Sequence, residues 1–415
     1  MNRNLTLLWL AHTTSIFGTS IYALALTLMS LKLSDSVFGA GTVLFATTVP
    51  YFFLGILGGV IADRVDRKKL MVTCDLVRGI IILTLPVMEY FNYLSLEYVV
   101  IVGFFMTIFR AFFFPANQAS VPLLINDKKE LNKINSYMNF TNNLSLMLGP
   151  ALGGMLLIFN LTPAQLLIID AMTYFVSALC VVSIEFPNYK EGKDKFAKPS
   201  ILTDAFNGIK FVTINNRDVA IMLTAFATQL LIGAGIIQLG IPKILKSINL
   251  EDVDSLFGFF ISTITFSSAI VSIVFTKIKV KNHSYWIFSG YALRGIVFLL
   301  LVFAHSYWML IVIAVLFGIS YVISGTTFTT LLQLSTPNHM MGKVMALRST
   351  IGNVADSFAY LIVGGILSLF SLKLSFIMFG IFSIFSTFLF FVLWKHSVDK
   401  KEKNEIVGES IILKG

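Results

Sequence analysis

Four acidic residues stand inside, or at the rim of, long apolar stretches: Asp75, Glu97, Asp170 and Asp356. An ionised side chain at the centre of a membrane helix costs about 2.5–3.5 kcal/mol on insertion scales, so each is a candidate for handling protons or ions. Asp356 falls near the middle of its stretch, with no acid or base close to it in that helix. A carboxylate so placed can load a proton from one side and release it to the other as its surroundings alternate, which makes it the first candidate for proton carrier. An Asp satisfied by hydroxyls or amides of adjacent helices is the alternative. Asp170 is the second candidate. Asp75 and Arg78 lie three apart on one helical face, can neutralise each other, and read as a structural pair. Glu97 is at the outer rim and solvated. Arg110 can tune a neighbouring carboxylate or snorkel from a span end to the cytosol.

Other chemistries lack their residues. No Gly-rich loop is followed by Lys-Ser or Lys-Thr, so the phosphate cradle of a P-loop ATPase is missing. His12, His283, His305, His339 and His396 are scattered, which argues against a metal site. No nucleophile-base-acid set is present either, so no cofactor is implied and the chain is not read as an enzyme. Work must be driven by an ion gradient or by the substrate's own.

The elements that hold these residues are membrane helices. At 415 residues, 56% hydrophobic and 13% charged, with mean hydropathy +0.83, the chain has too little polar surface to coat a water-soluble globule. Crossing about 30 Å of hydrocarbon takes roughly 20 residues as a helix. Twelve such runs are predicted, at 5–32, 38–62, 70–90, 95–115, 136–159, 164–184, 219–243, 255–276, 285–304, 306–332, 346–370 and 374–395. The first is too long for a cleavable leader and is read as a retained helix. Of the 31 Lys and Arg, Lys32, Lys243, Lys246 and Lys373 fall in loops on one side, Arg78, Arg110 and Arg294 lie within spans, and the rest fall on the other side. The positive-inside rule then places both termini in the cytosol of a multi-pass plasma-membrane protein. The net charge of +9 is thus topology, with no nucleic-acid partner implied. Cys74 and Cys180 sit near cytosolic span ends, where disulfides are disfavoured, and are packing residues.

The chain also matches itself. Asp75-Leu76-Val77-Arg78-Gly79-Ile80 parallels Tyr291-Ala292-Leu293-Arg294-Gly295-Ile296, Phe38-Gly39 parallels Phe257-Gly258, and Lys133 to Gly154 align without gaps on Lys343 to Gly364. Duplicated halves are how many secondary transporters build a midplane site with alternating access. The expected organisation is a six-helix bundle over 1–185, a cytosolic linker over 186–218, a second bundle over 219–396 and a cytosolic tail over 397–415. Within the linker, Leu202, Ala205, Phe206, Ile209 and Val212 are spaced for a helix lying on the inner membrane face, and a solvated loop is the alternative.

Between spans 2 and 3 the chain reads Gly58-Gly59-Val60-Ile61-Ala62-Asp63-Arg64-Val65-Asp66-Arg67-Lys68-Lys69. This resembles the signature loop of the major facilitator superfamily: a glycine, three residues, Asp-Arg, then a basic cluster. Asp66 replaces the usual second glycine, a variant similar to the macrolide-efflux-type branch of drug:proton antiporters. Gly149-Pro150-Ala151-Leu152-Gly153-Gly154 in span 5 resembles the antiporter motif of drug exporters, with Ser145 in place of a glycine four residues earlier. Arg110-Ala111-Phe112-Phe113-Phe114-Pro115-Ala116, running into Gln118 and Ala119, and Asp170-Ala171-Met172-Thr173-Tyr174-Phe175 resemble the same branch. The resemblance covers most of the first half and is looser in the second. It implies an all-α fold of twelve transmembrane helices in two pseudo-symmetric bundles. It also implies that Asp63 meets the N-terminus of span 11 and steadies the outward-facing state, while Arg64, Arg67, Lys68 and Lys69 complete a charge network.

Phe17 and Tyr22 in span 1, Phe226, Gln229 and Gln238 in span 7 and Tyr321 in span 10 are the substrate-cavity candidates. An apolar cavity with scattered amides suits hydrophobic or amphipathic molecules better than organic anions, which would ask for cationic lining. Together these readings describe a monomeric efflux transporter exchanging hydrophobic compounds for protons. A dedicated exporter of an endogenous siderophore or lipid is the alternative, and a non-transporting sensor or scaffold a more distant one.

Overall fold

In hydrocarbon no water is available to backbone N–H and C=O groups, so an apolar stretch must satisfy them internally as a helix. The computed structural model of the chain has that form. It describes residues 3–50, 54, 61, 65–125, 129–186, 210, 217–248, 252–275, 277–278 and 280–412. The helices are α1 (Arg3–Leu33), α2 (Val37–Thr48), α3 (Arg67–Tyr90), α4 (Leu96–Ser120), α5 (Lys129–Ile158) and α6 (Pro163–Val182) in the first half. The second half has α7 (Arg217–Ser247), α8 (Val253–Phe275), α9 (His283–Leu300), α10 (Tyr307–Ser335), α11 (Asn338–Leu369) and α12 (Leu372–Ile412). Among the described residues eleven are long and apolar enough to cross a membrane, and α2 is described only over its first part. The expected linker helix lies outside the described residues apart from Lys210. Residues assigned to a tail continue α12 instead of leaving it.

Sequence punctuation sets the helix starts. Ser36, Ser95 and Ser306 cap α2, α4 and α10 by accepting from the backbone N–H three residues on. Thr162 and Gln165 form a reciprocal capping box at α6. Asn92, Asn160 and Asp252 take left-handed φ of 60°, 61° and 57° in the tight turns joining α3 to α4, α5 to α6 and α7 to α8. These turns share one end of the molecule, and the Arg67–Lys69 cluster marks the other.

Within the first half α1 packs on α5 and α6, and α3 on α4 and α6; in the second, α9 packs on α10 and α12, and α11 on α7. The halves meet along α5 with α8 and α2 with α11. Large apolar side chains such as Ile80, Leu179, Ile273, Phe385 and Phe388 are left exposed on the perimeter, each more than half accessible. So much exposed apolar surface is unsuited to water and fits a lipid-facing belt.

Candidate functional site

In the first half, Asp75 and Arg78 form a fully enclosed ion pair. The Ser177 hydroxyl of α6 donates to Asp75 Oδ2 at 2.6 Å, and Arg78 Nη2 donates to Ser15 Oγ of α1 at 3.4 Å. The guanidinium lies between the rings of Phe113 on α4, 4.7 Å away, and Tyr174 on α6, 4.2 Å away. Four helices are thereby tied to one pair, as a structural role requires. Asp170 is also fully buried, but neither carboxylate oxygen has a hydrogen-bond partner, although the Thr173 and Tyr174 hydroxyls lie beside it. Its side chain and that of Thr173 occupy the space where Gly18 of α1 lacks a Cβ. Arg110 is exposed and lies ten residues before the end of α4, about 15 Å along the axis. The helix runs on past Arg110 beyond the span expected to end at 115.

The basic cluster acts on helix ends. Arg67 Nη1 donates to the Ala119 carbonyl in the last turn of α4 at 2.8 Å, and Lys68 Nζ to the Ile184 carbonyl just beyond α6 at 2.7 Å. Cations there satisfy orphan carbonyls and meet the negative end of the helix dipole. Asp66 is the N-cap of α3, accepting from Lys69 N–H at 3.1 Å, while the Lys69 side chain is exposed. Gly59, Asp63 and Arg64 lie outside the described residues.

At the opposite end the antiporter-like motif lies in two seams. Gly149 and Gly153 of α5 face Ser20 and Leu24 of α1, while Gly154 and the Pro150 carbonyl meet Ser255 and Gly258 of α8. The α5–α8 seam has a counterpart between the halves: Gly41 of α2 meets the Tyr360 carbonyl of α11, and Gly364 meets Val37 and Phe38. Small residues allow such backbone approach. Contacts unmarked in the sequence join the halves around these seams. Lys32 pairs with Asp254 at 2.5 Å, Phe38 N–H donates to Ser368 Oγ at 2.9 Å, Thr27 donates to Gln238 Oε1 at 2.8 Å, and Phe45 and Phe358 meet edge-on at 5.4 Å.

On the basic side of the seams is a cavity of about 230 Å³ in the second half, lined by α7, α9, α10 and α11. Phe226 and Tyr321, two of the cavity candidates, line it together with the carboxylate Asp356, and Arg294, Arg348 and Asn353 line it too. The expectation of an apolar lining without cations is thus corrected. The signal missed was spacing: Arg348, Gly352 and Asp356 recur every four residues on one face of α11. By charge distribution alone Arg348 groups with the cytosolic basic residues, although it lies just inside the predicted span 346–370. Gln229, by contrast, is buried between α7 and α12, donating to the Ser383 carbonyl and to Ser386 and Thr387 hydroxyls at 3.1–3.2 Å and accepting from Ser383 at 2.8 Å. Gln238 is held in the closed end by Thr27. Phe17 and Tyr22 are partly buried in the first half, with the Tyr22 hydroxyl unpartnered.

Residues 8–360 match the model of the Major Facilitator Superfamily. The chain belongs to this superfamily. As a member with eleven helices long and apolar enough to cross a membrane among its described residues, it is a multi-pass membrane protein. The superfamily fold is seen in a nucleoside transporter, NupG, with TM-score 0.72 at 14% identity over 95% of this chain and 100% of that one. It is seen again in a D-xylose-proton symporter, with TM-score 0.73 at 13% identity over 93% and 96%. Among characterised superfamily relatives, macrolide efflux protein A of Streptococcus pyogenes is 24% identical over 217 residues, 52% of this chain and 53% of that protein. The staphyloferrin A transporter of Staphylococcus aureus is 25% identical over 58% of this chain and 66% of its own length. A putative bacilysin exporter of Bacillus subtilis is 26% identical over 53% of each. The chain spans about half to two thirds of the length of these relatives, all of which are efflux proteins or transporters by name.

Proposed function

We propose that this chain is a secondary exporter of hydrophobic or amphipathic compounds, coupled to inward proton movement by alternating access, with both termini cytosolic. The observation that carries this reading is the order of features along α11. Arg348 to Asp356 line the cavity, and within two further turns Tyr360 and Gly364 close on α2. A site with a carboxylate on the cytosolic side of a glycine-lined closure fits one state of an alternating cycle. The efflux names of the relatives favour the outward direction. Inward movement of one charge across 100 mV supplies about 2.3 kcal/mol, or a gradient of nearly fiftyfold by the usual conversion. A dedicated metabolite exporter is the second reading, favoured by the two arginines in the cavity.

The test is accumulation of ethidium and a labelled macrolide in pump-deficient bacteria expressing the chain, with and without a protonophore. Reduced accumulation that the protonophore abolishes supports proton-driven drug export. Unchanged accumulation of both, with the protein present in the membrane, moves the assignment to the metabolite exporter.

A further inference from the structure

The two halves repeat one arginine without repeating its counter-ion. Arg78 is preceded at i−3 by Asp75, which closes on it as an enclosed pair. In the matching segment the i−3 position of Arg294 is Tyr291, a phenol where the first half has a carboxylate. Arg294 is nearly as enclosed as Arg78, 4% exposed against 2%. Its hydrogen bond runs from Nη2 to Ser324 Oγ at 3.1 Å, and its Nε has no partner. Arg348 lines the same cavity, its guanidinium 5.1 Å from the Phe226 ring and 5.7 Å from that of Phe328, again with Nε unpartnered. Among the described residues neither arginine makes an ion pair, and Asp356 is the one carboxylate in the lining. Two cations therefore face one acid in a cavity where Arg294 is nearly enclosed and Arg348 and Asp356 are partly buried. A buried charge without a full counter-ion is expensive, and an anion entering the cavity would relieve that cost.

We propose that this cavity binds the acidic group of an amphipathic substrate. Arg294 and Arg348 hold its carboxylate, and Phe226, Leu230 and Tyr321 cover the adjoining apolar part. Guanidinium groups suit this role because their planar N–H pairs match carboxylate geometry. A volume of about 230 Å³ falls below the roughly 300–1,000 Å³ of drug-sized sites, so the cavity takes the acidic head of a larger molecule. This inference rests on the export reading and narrows its substrate class to acids.

The test uses the full chain in phosphatidylcholine nanodiscs, which exclude acidic lipid as the occupant, and two dyes that differ in one group. Rhodamine 110 has a free carboxyl and rhodamine 123 is its methyl ester. By fluorescence polarisation rhodamine 110 should bind at least about tenfold tighter, the scale of one charge-assisted contact. Arg348→Gln and Arg294→Gln should each abolish that preference, with rhodamine 110 losing affinity and the cationic rhodamine 123 losing none. Tyr291→Asp should do the same, by giving Arg294 the counter-ion that Arg78 already has. Arg348 is only partly buried, so its variant serves if Arg294→Gln does not fold.

Equal affinities, failure of both dyes to bind, or a preference that survives in Arg348→Gln and Tyr291→Asp would overturn the acid site. Protonophore-sensitive export of both dyes at equal affinity would overturn it while leaving the export reading intact. An intact preference without export from cells would keep the acid site and overturn export.

Discussion

Gly154 of α5 and Gly258 of α8 pack backbone against backbone where the two bundles meet. A methyl group on Gly154 would lie 2.7 Å from the Ser255 carbonyl oxygen and 3.3 Å from Gly258 Cα, and one on Gly258 would lie 2.6 Å from the Pro150 carbonyl oxygen. Backbone atoms of two helices cannot yield as a flexible side chain would. Overpacking of this kind costs about 1–3 kcal/mol, and it is felt only while this end is closed. Gly154→Ala and Gly258→Ala should therefore favour the state open at this end by a factor of about five to over a hundred. Spin labels at the exposed Tyr93 and Trp308 positions, measured by double electron–electron resonance, should report longer distances. An unchanged distribution would show that the seam does not control closure.

The Lys32–Asp254 bridge beside this seam should matter much less. Its side chains are 50% and 24% exposed, and solvent-accessible ion pairs are worth about 0–1 kcal/mol. Lys32→Ala should shift the same distance distribution by less than about fivefold in population, and less again at high salt. The exchange Lys32→Asp with Asp254→Lys should restore it.

Asp75→Asn strands the buried Arg78 charge. Removing one partner of a buried pair costs about 3–5 kcal/mol, whereas removing both can be close to neutral. Thermal unfolding in detergent should show a large loss for Asp75→Asn and recovery of most of it in Asp75→Asn with Arg78→Leu. A loss below about 1 kcal/mol for the single change would contradict a structural role for the pair.

Asp66→Ala should cost about 1 kcal/mol through loss of the α3 cap, and Asp66→Gly only a few tenths. Hydrogen exchange at the Lys69 amide, which donates to the Asp66 carboxylate, reads the difference directly. The family's usual glycine would then be almost equivalent here, which explains how the position tolerates both.

Asp356→Asn should uncouple transport from the proton gradient while substrate binding persists. If its proton-driven rate equals that of the unaltered protein, Asp170, a buried carboxylate whose oxygens have no hydrogen-bond partner, becomes the carrier to test by Asp170→Asn. Asp63→Asn should impair efflux at normal expression, and a normal transport rate would remove the gating role proposed for it.

Much of this organisation was legible in the chain itself. Hydropathy over windows of helical length set the helices, because lipid leaves the backbone no other way to satisfy its polar groups. The internal match of Gly154 with Gly364 and of Phe38-Gly39 with Phe257-Gly258 acquires a spatial meaning in the structure. Gly154 meets Gly258 in one seam, and Gly364 meets Phe38 in the other. The i, i+3 spacing of Asp75 and Arg78 announced their pairing, since it lies within one helix turn.

What the sequence determined alone is what depends on neighbours along the chain: spans, caps, duplication and the local ion pair. Tertiary structure decided which distant side chains share a space. It drew Gln229 out of the cavity and into α12, brought Gln238 to Thr27 in the closed end, and set Arg294 and Arg348 around Asp356. Those outcomes turn on which face each helix presents to another helix. Hydropathy is nearly blind to this, because in a membrane protein the lipid-facing and core-facing sides are both apolar.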